Sequence, residues 1–470
     1  MKKLCIILAL ALAVACSSQT AKTANDDGRL PALKISENGR YFVTENGEPF
    51  FWLGDTGWLL FKNLDRDEAE AYLENRREKG FNVIQVMVLH TVGIANIYGD
   101  SALVNMDVTR PLVTEGADPA DSVQYDYWDH MDYIIDRAEK KGIYMALVPV
   151  WGSNVGHGHV TQQQAETYGK WIADRYKDKS NIIWLNGGDI NGADSTEVWK
   201  TLGNIIKSVD SVHLMTYHPR GRTSSTMWFH NEPWLDFNMF QSGHRTYEQG
   251  TSGPGQKEHA EDNWKYVAED YAMTPAKPTL DGEPSYENIP HGLKKDTITP
   301  RWKAADVRRY GYWSVFSGGA GYTYGENSIM QMLKPKKGGA NYAAQLDWRT
   351  AMDAEGAGQM HHLKDLMLSR PYFDRVPDQS LVAGENGEKY DYIVATRGKN
   401  YAMLYVYNGR PFSVNMGKID EDEVVASWFS PRDGGYTEIG VFPNTGVVEF
   451  TPPGTRADGN DWVLVLDTKK

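Results

Sequence analysis

The sequence predicts an α/β fold: a (β/α)8 TIM barrel followed by a small antiparallel β-sandwich. Three observations carry this. Eight short apolar runs, at 50–53, 83–89, 144–150, 182–185, 214–217, 237–240, 279–280 and 321–324, alternate with segments of helical periodicity. Past Arg370-Pro371 that rhythm gives way to short strands parted by turn residues. Two of the apolar runs stop at a carboxylate, as barrel strands do at a catalytic rim.

Taken in order, Lys2 and Lys3 precede an apolar run at 4–14, too short for a membrane span and ending in small residues. Ala13-Val14-Ala15-Cys16 resembles a lipoprotein cleavage box, which makes 1–16 a signal peptide and Cys16 the lipidated first residue. Ordinary signal cleavage is the alternative, since Ala13 stands where Leu is usual. Residues 17–30 read as a polar tether. Asn38-Gly39 and Asn46-Gly47 mark hairpin turns ahead of the barrel. Helical periodicity is read at 66–79, 127–141, 162–176, 197–209, 259–271 and 303–316. The barrel domain is placed at 31–372 and the sandwich at 378–470, with strands near 392–396, 401–407, 424–429 and 462–467 and turns at Asn386-Gly387 and Asp433-Gly434. An open doubly wound sheet is the rival, but no Gly-rich phosphate turn follows the first strand.

Composition narrows the function. The net charge of −13, from 49 Lys+Arg against 62 Asp+Glu, argues against nucleic acid or an anionic membrane surface as a partner. The 15 Trp and 26 Tyr can stack on sugar faces, although core packing also uses them. Of the two cysteines, Cys5 lies in the signal and Cys16 at the box. None remains for a disulfide, a zinc-thiolate site or a thiol nucleophile. The reading calls for no cofactor and no metal. It expects an envelope-anchored protein of the outer membrane, facing the periplasm or the surface, with membrane contact only through its lipid.

Asp189, in Trp184-Leu185-Asn186-Gly187-Gly188-Asp189, ends the fourth run, and Glu283, in Leu280-Asp281-Gly282-Glu283-Pro284, ends the seventh. Paired carboxyls across a cleft, one protonated and one ionised, are the working parts of glycoside hydrolysis. Either acid alone could simply cap a helix or pair with an arginine. Asn231-Glu232-Pro233 imitates the acid/base tripeptide of many barrel glycosidases but falls in a loop between strands five and six. The same strand-end logic nominates Asp55, His90, Trp151, Asn186, His218, Gln241, His244, Tyr286, Glu287, Trp313 and Glu326 as substrate contacts. His157 and His159 read as loop residues, because no acids or cysteines cluster with them.

The chain resembles glycoside hydrolase family 140, whose known activity is an apiosidase that releases apiose-linked side chains from the pectin rhamnogalacturonan II. The likeness rests on Arg40-Tyr41-Phe42-Val43, Gly54-Asp55-Thr56-Gly57-Trp58, Phe81-Asn82-Val83-Ile84-Gln85 and the two carboxylate segments through Glu287. Trp428-Phe429-Ser430-Pro431-Arg432 is similar to a sandwich named for collagen binding, though nothing in these residues speaks for collagen. The resemblance implies Asp189 as acid/base and Glu283 as nucleophile of a retaining reaction on an oligosaccharide or polysaccharide. Two rivals are a catalytically inactive, surface glycan-binding lipoprotein and a matrix-binding protein that acts through its sandwich.

Overall fold

The computed structural model describes residues 28–250, 253, 255–334 and 340–469. The expected signal, Cys16 and most of the tether lie outside the described residues.

The eight apolar runs become eight parallel barrel strands: Trp52–Thr56, Val83–Leu89, Tyr144–Val150, Ile182–Ile190, Met215–Pro219, Asn238–Gln241, Thr279–Asp281 and Gly321–Tyr324. Strand eight pairs with strand one, Gly321 opposite Trp52 and Tyr324 opposite Asp55. The ring is nearly closed, with a seam between strands five and six. There Asp236 takes the place of a ladder: its backbone N–H donates to the Met215 carbonyl (2.8 Å) and its carboxylate accepts from the Met215 N–H (2.7 Å). The crossover at the seam holds no α-helix. It is filled by Thr223–Ser224, a two-residue strand antiparallel to strand six, and the turn Ser225–Met227.

Elsewhere helices cover the barrel at Arg66–Glu78, Tyr127–Lys140, Gln162–Tyr176, Thr196–Val209, Asn263–Tyr271, Ala304–Phe316 and Glu355–Leu368. Three of them begin where side chains satisfy the free N–H groups of a first turn. Asp65 with Glu68, Asp126 with Asp129 and Thr161 with Gln164 each form a reciprocal capping box.

Alternation along each strand splits the core in two. Trp52, Val83, Met87, Ala146, Val148, Ile183, Leu185, Met239 and Leu280 fill the barrel's interior. Ile84, Val86, Val88, Met145, Leu147, Trp184 and Tyr217 point out to the helices. The hairpins at Gly39 (φ 69°) and Gly47 (φ 85°) fold a three-stranded sheet, Leu33–Ile35, Phe42–Thr44 and Pro49–Phe50, that plugs the barrel's floor. Phe42 meets Phe237 edge-on at 5.0 Å there.

After Leu368 the chain builds a six-stranded and a three-stranded antiparallel sheet. This sandwich shares its core with the barrel. Tyr312 stacks on Tyr405 (4.7 Å) and Trp264 on Tyr392 (4.1 Å). Buried Asp461 accepts both arms of Arg308 at 2.9 Å and a third hydrogen bond from Arg432 at 2.9 Å. A junction this apolar and this bonded fuses the two parts rather than tethering one to the other.

Candidate active site

Strand four runs on past residue 185, and its register against strand five slips between Gly187 and Ile190. Such a bulge re-aims one side chain. Gly187 (φ 87°), Gly188 (φ 107°) and Asp189 (φ 49°) all sit in left-handed space, which glycine enters freely. A Cβ on Gly188 would strike the Trp151 ring at 2.5 Å, and one on Gly187 the His218 carbonyl at 2.6 Å. The paired glycines therefore do what an ordinary strand end cannot: they turn Asp189 into the cleft.

Glu283 stands two residues beyond strand seven. Gly282 holds it by donating to Phe240 O (2.8 Å) and accepting from the Gln85 amide (2.7 Å). Two imidazoles complete the placement. His244 Nδ1 accepts from the Tyr286 backbone N–H (3.4 Å), so its Nε2–H donates to Glu283 Oε1 (3.1 Å). His218 Nδ1 accepts from the Asp189 N–H (3.4 Å), and its Nε2 lies 3.3 Å from Oε2, a close approach rather than a well-formed hydrogen bond. The bond at one nitrogen assigns the tautomer and hence the role of the other.

The electrostatics push the two carboxyls apart. Burial works to raise Glu283, but the imidazole nitrogens that His218 and His244 turn toward its carboxylate outweigh it and hold the group down at about 2. Asp189 faces the open cavity, yet protein atoms crowd around it. That desolvation, then the negative charge of Glu283, pushes it up to about 6. One carboxyl is biased to stay ionised and its neighbour to keep a proton.

Both line one cavity of about 360 Å³, large enough for a sugar or two. His90, Trp151, Gln241, His244 and Tyr286 line it as the strand ends suggested, and His218 lies just behind Glu283. The cavity also holds residues that strand-end reasoning missed: Trp58, Arg220, Arg222, Arg245, Gln256 and Tyr342. Trp58 had a signal, since it closes the Asp55-Thr56-Gly57 segment. Its indole donates to the Tyr286 hydroxyl (2.8 Å) and its ring lies 5.4 Å from that of Trp151. The arginines come from loops, where no periodicity announces them.

Five expected contacts lie elsewhere, each for a visible reason. Asp55 is fully buried, accepting from Arg76 Nε and the Tyr72 hydroxyl, both at 2.6 Å. Asn186 is spent behind the strand on the Trp199 carbonyl (2.8 Å). Glu287 accepts from the Tyr324 hydroxyl (2.6 Å) and the Gly356 N–H (3.0 Å). Trp313 is buried inside helix Ala304–Phe316 under the Arg309 guanidinium, 4.8 Å away. Glu326 staples its own loop through the N–H groups of Ser328 (2.7 Å) and Ile329 (2.9 Å), and burial pushes it up to about 7. Glu232 pairs with Lys200 at 3.1 Å, away from the cavity. The exposed His157 and His159 do not line it either.

Comparison with known proteins falls in line with this geometry. The family described as "Apiosidase-like, catalytic domain" matches residues 36–374, and "Putative collagen-binding domain of a collagenase" matches 376–467. A solved glycoside hydrolase is 50% identical over 93% of this chain and 97% of its own, with a TM-score of 0.87. A second, described as a family 5 glycoside hydrolase from Bacteroides vulgatus, is 47% identical over 93% of each chain, also at 0.87. No curated protein matches. A barrel of this kind with such a carboxyl pair defines the protein as a glycoside hydrolase, an enzyme acting on carbohydrate. More narrowly, the chain belongs to the apiosidase-like family.

Proposed function

We propose that the protein is a retaining apiosidase that releases side chains from the pectin rhamnogalacturonan II. The observation that carries the mechanism is the opposed protonation of Asp189 and Glu283 within one cavity. Glu283, ionised, attacks the anomeric carbon while Asp189 gives its proton to the departing oxygen. The bond to the leaving sugar breaks and an ester to Glu283 forms. Asp189, now a carboxylate, removes a proton from water. The water oxygen displaces Glu283 and regenerates both groups. His218 and His244 hold the nucleophile, while Trp58, Trp151, His90, Gln241 and Tyr286 shape the sugar site. The Asp189 side chain is one methylene shorter than the Glu of related barrels, which suits a compact branched furanose.

Membership of the apiosidase-like family supports the choice of sugar. Incubating the enzyme with rhamnogalacturonan II oligosaccharides and identifying the released sugar tests it. Apiose-terminated side chains are expected. Release of nothing there, but of another pentose from a different glycan, would keep the mechanism and discard the substrate. Anchoring through Cys16 rests on the cleavage box alone. A Cys16→Ala variant is expected to leave the membrane fraction, and an unchanged distribution would refute the anchor.

A further inference from the structure

Asp281 is a buried acid that the catalytic steps leave unused. It ends strand seven in register with Phe240 and Tyr322 and, like them, points away from the cavity. It is fully buried, and no cation is among the groups that act on it. Four donors surround its carboxyl instead. Oδ2 accepts from the Ser242 hydroxyl (2.6 Å) and the Asn263 amide (3.2 Å), and Oδ1 from the Ser242 backbone N–H (3.3 Å). The Glu283 backbone N–H is bonded to it as well. Even so, burial pushes the carboxyl up to about 7. Below that pH the proton has a place in the short bond to the Ser242 hydroxyl, which can accept as well as donate. A polar group buried this deeply costs stability that an apolar side chain here would not.

The donors belong to the two segments that carry the catalytic contact. Strand six ends at Gln241, and residues 242–244 turn out of it, with Gly243 at φ 83°. Two backbone bonds tie that turn to the end of strand seven: Gly282 N–H to the Phe240 carbonyl (2.8 Å) and Gly243 N–H to the Glu283 carbonyl (3.2 Å). The Asp281 carboxyl takes the Ser242 and Glu283 N–H groups, which those bonds do not use. Just past Gly243, His244 gives its Nε2–H to Glu283 Oε1 at 3.1 Å. One carboxyl therefore grips both the turn that carries the imidazole and the backbone of the nucleophile.

We propose that Asp281 is a positioning residue: by joining Ser242 to the Glu283 backbone, it fixes His244 against the nucleophile. This rests on Glu283 as the nucleophile, but not on apiose as the sugar released. Asp189, His218, His244, Tyr286 and Tyr342 are the titratable groups that face Glu283, and of these His244 is carried on the turn that Asp281 holds.

The test compares Asp281→Ala, Asp281→Asn and Ser242→Ala with the native enzyme on para-nitrophenyl apioside. Its leaving group departs without a proton from Asp189, so the rate reads the attack by Glu283. Asp281→Ala should lower kcat/KM roughly ten- to hundredfold, the effect of misplacing a reacting group by about 1 Å. It should also move the acid limb toward neutral pH, as His244 loosens its hold on Glu283. Asp281→Asn keeps the volume, an acceptor and a donor for Ser242 Oγ, and should recover most of the rate. Ser242→Ala should shift both readings the same way by a smaller factor, and it decides the matter if Asp281→Ala does not fold. A side chain that serves the fold alone would lower the urea midpoint and leave kcat/KM and the acid limb in place. That result in folded Asp281→Ala, or in Ser242→Ala, would overturn the role, as would an Asn variant as slow as the Ala variant. If the native enzyme leaves the apioside intact, the sugar assignment falls by itself and crystal structures of the variants decide. The 3.1 Å contact between His244 and Glu283 should open beyond hydrogen-bond length, and an unchanged contact would overturn the proposal. A trapped sugar ester on a residue other than Glu283 would instead remove the nucleophile reading.

Discussion

Asp189 and Glu283 are joined by one imidazole: His218 accepts the backbone N–H of Asp189 at 3.4 Å and brings its other nitrogen to 3.3 Å from the Glu283 carboxylate. The ring thus couples the bulge that places the acid to the charge of the nucleophile. Its neighbour His244 repeats the pattern from the Tyr286 backbone.

The pH profile follows from the two shifts. The first step needs Glu283 ionised and Asp189 protonated. Raising pH through about 6 removes the Asp189 proton, so kcat/KM should fall on the alkaline side. The acid limb belongs to Glu283 and should lie far below neutrality, near 2. With a substrate bearing an activated leaving group, Asp189→Asn should abolish the alkaline limb. Persistence of that limb in the variant would assign it to another group.

His244→Gln weakens the hydrogen bond that keeps Glu283 ionised. The Glu283 carboxyl should rise, moving the acid limb of kcat/KM toward neutral pH, with a loss of roughly ten- to hundredfold at the optimum. A smaller kcat with an unmoved acid limb would show that His244 serves only the substrate.

Asp55 offers a stability test. Arg76→Met leaves its buried carboxylate without a cation, with only the Tyr72 hydroxyl still donating to it, and should cost about 3–5 kcal/mol in urea unfolding. A variant with normal stability and impaired KM would return Asp55 to the substrate.

Strand-end position led to both carboxyls and to five other residues that line the cavity, but direction along the strand decides which side chains reach it. His218 and Gln241 follow residues that face the helices, Tyr217 and Phe240, and so fall in phase with the interior. His90 and Trp151 follow Leu89 and Val150, the last residues paired between strands two and three, and the turn out of the strand rather than alternation brings them to the cavity. Asp55 follows Gly54 but shares the phase of Leu53, and Asn186 that of Trp184, so both point outward to a helix. That parity was written in the sequence and would have sorted these two. Trp313 was hidden differently, inside a helix whose apolar residues run right round it. Glu287 and Glu326 lie past their strands, where loop geometry rather than alternation sets direction. The helixless fifth crossover also follows no repeat, because Asp236 and the Thr223–Ser224 strand close the seam through side chains and a local hairpin.

The sandwich is predicted to be a structural part of the enzyme. Asp461→Ala strips Arg308 and Arg432 of their shared partner at the junction. It should lower the stability of barrel and sandwich together, in one calorimetric transition, by about 3–5 kcal/mol. Two separate transitions, with barrel activity intact after the first, would mark the sandwich as an independent module.

The most direct test of the carboxyl pair is to trap the reaction halfway. The enzyme is incubated with an activated 2-deoxy-2-fluoro glycoside of the sugar it releases, and its peptides are weighed by mass spectrometry. A single sugar ester on Glu283, with Glu283→Gln unlabelled, folded and slower by several orders of magnitude, is the expected result. A label on any other side chain, or a Glu283→Gln enzyme that still turns over at an appreciable rate, would contradict it.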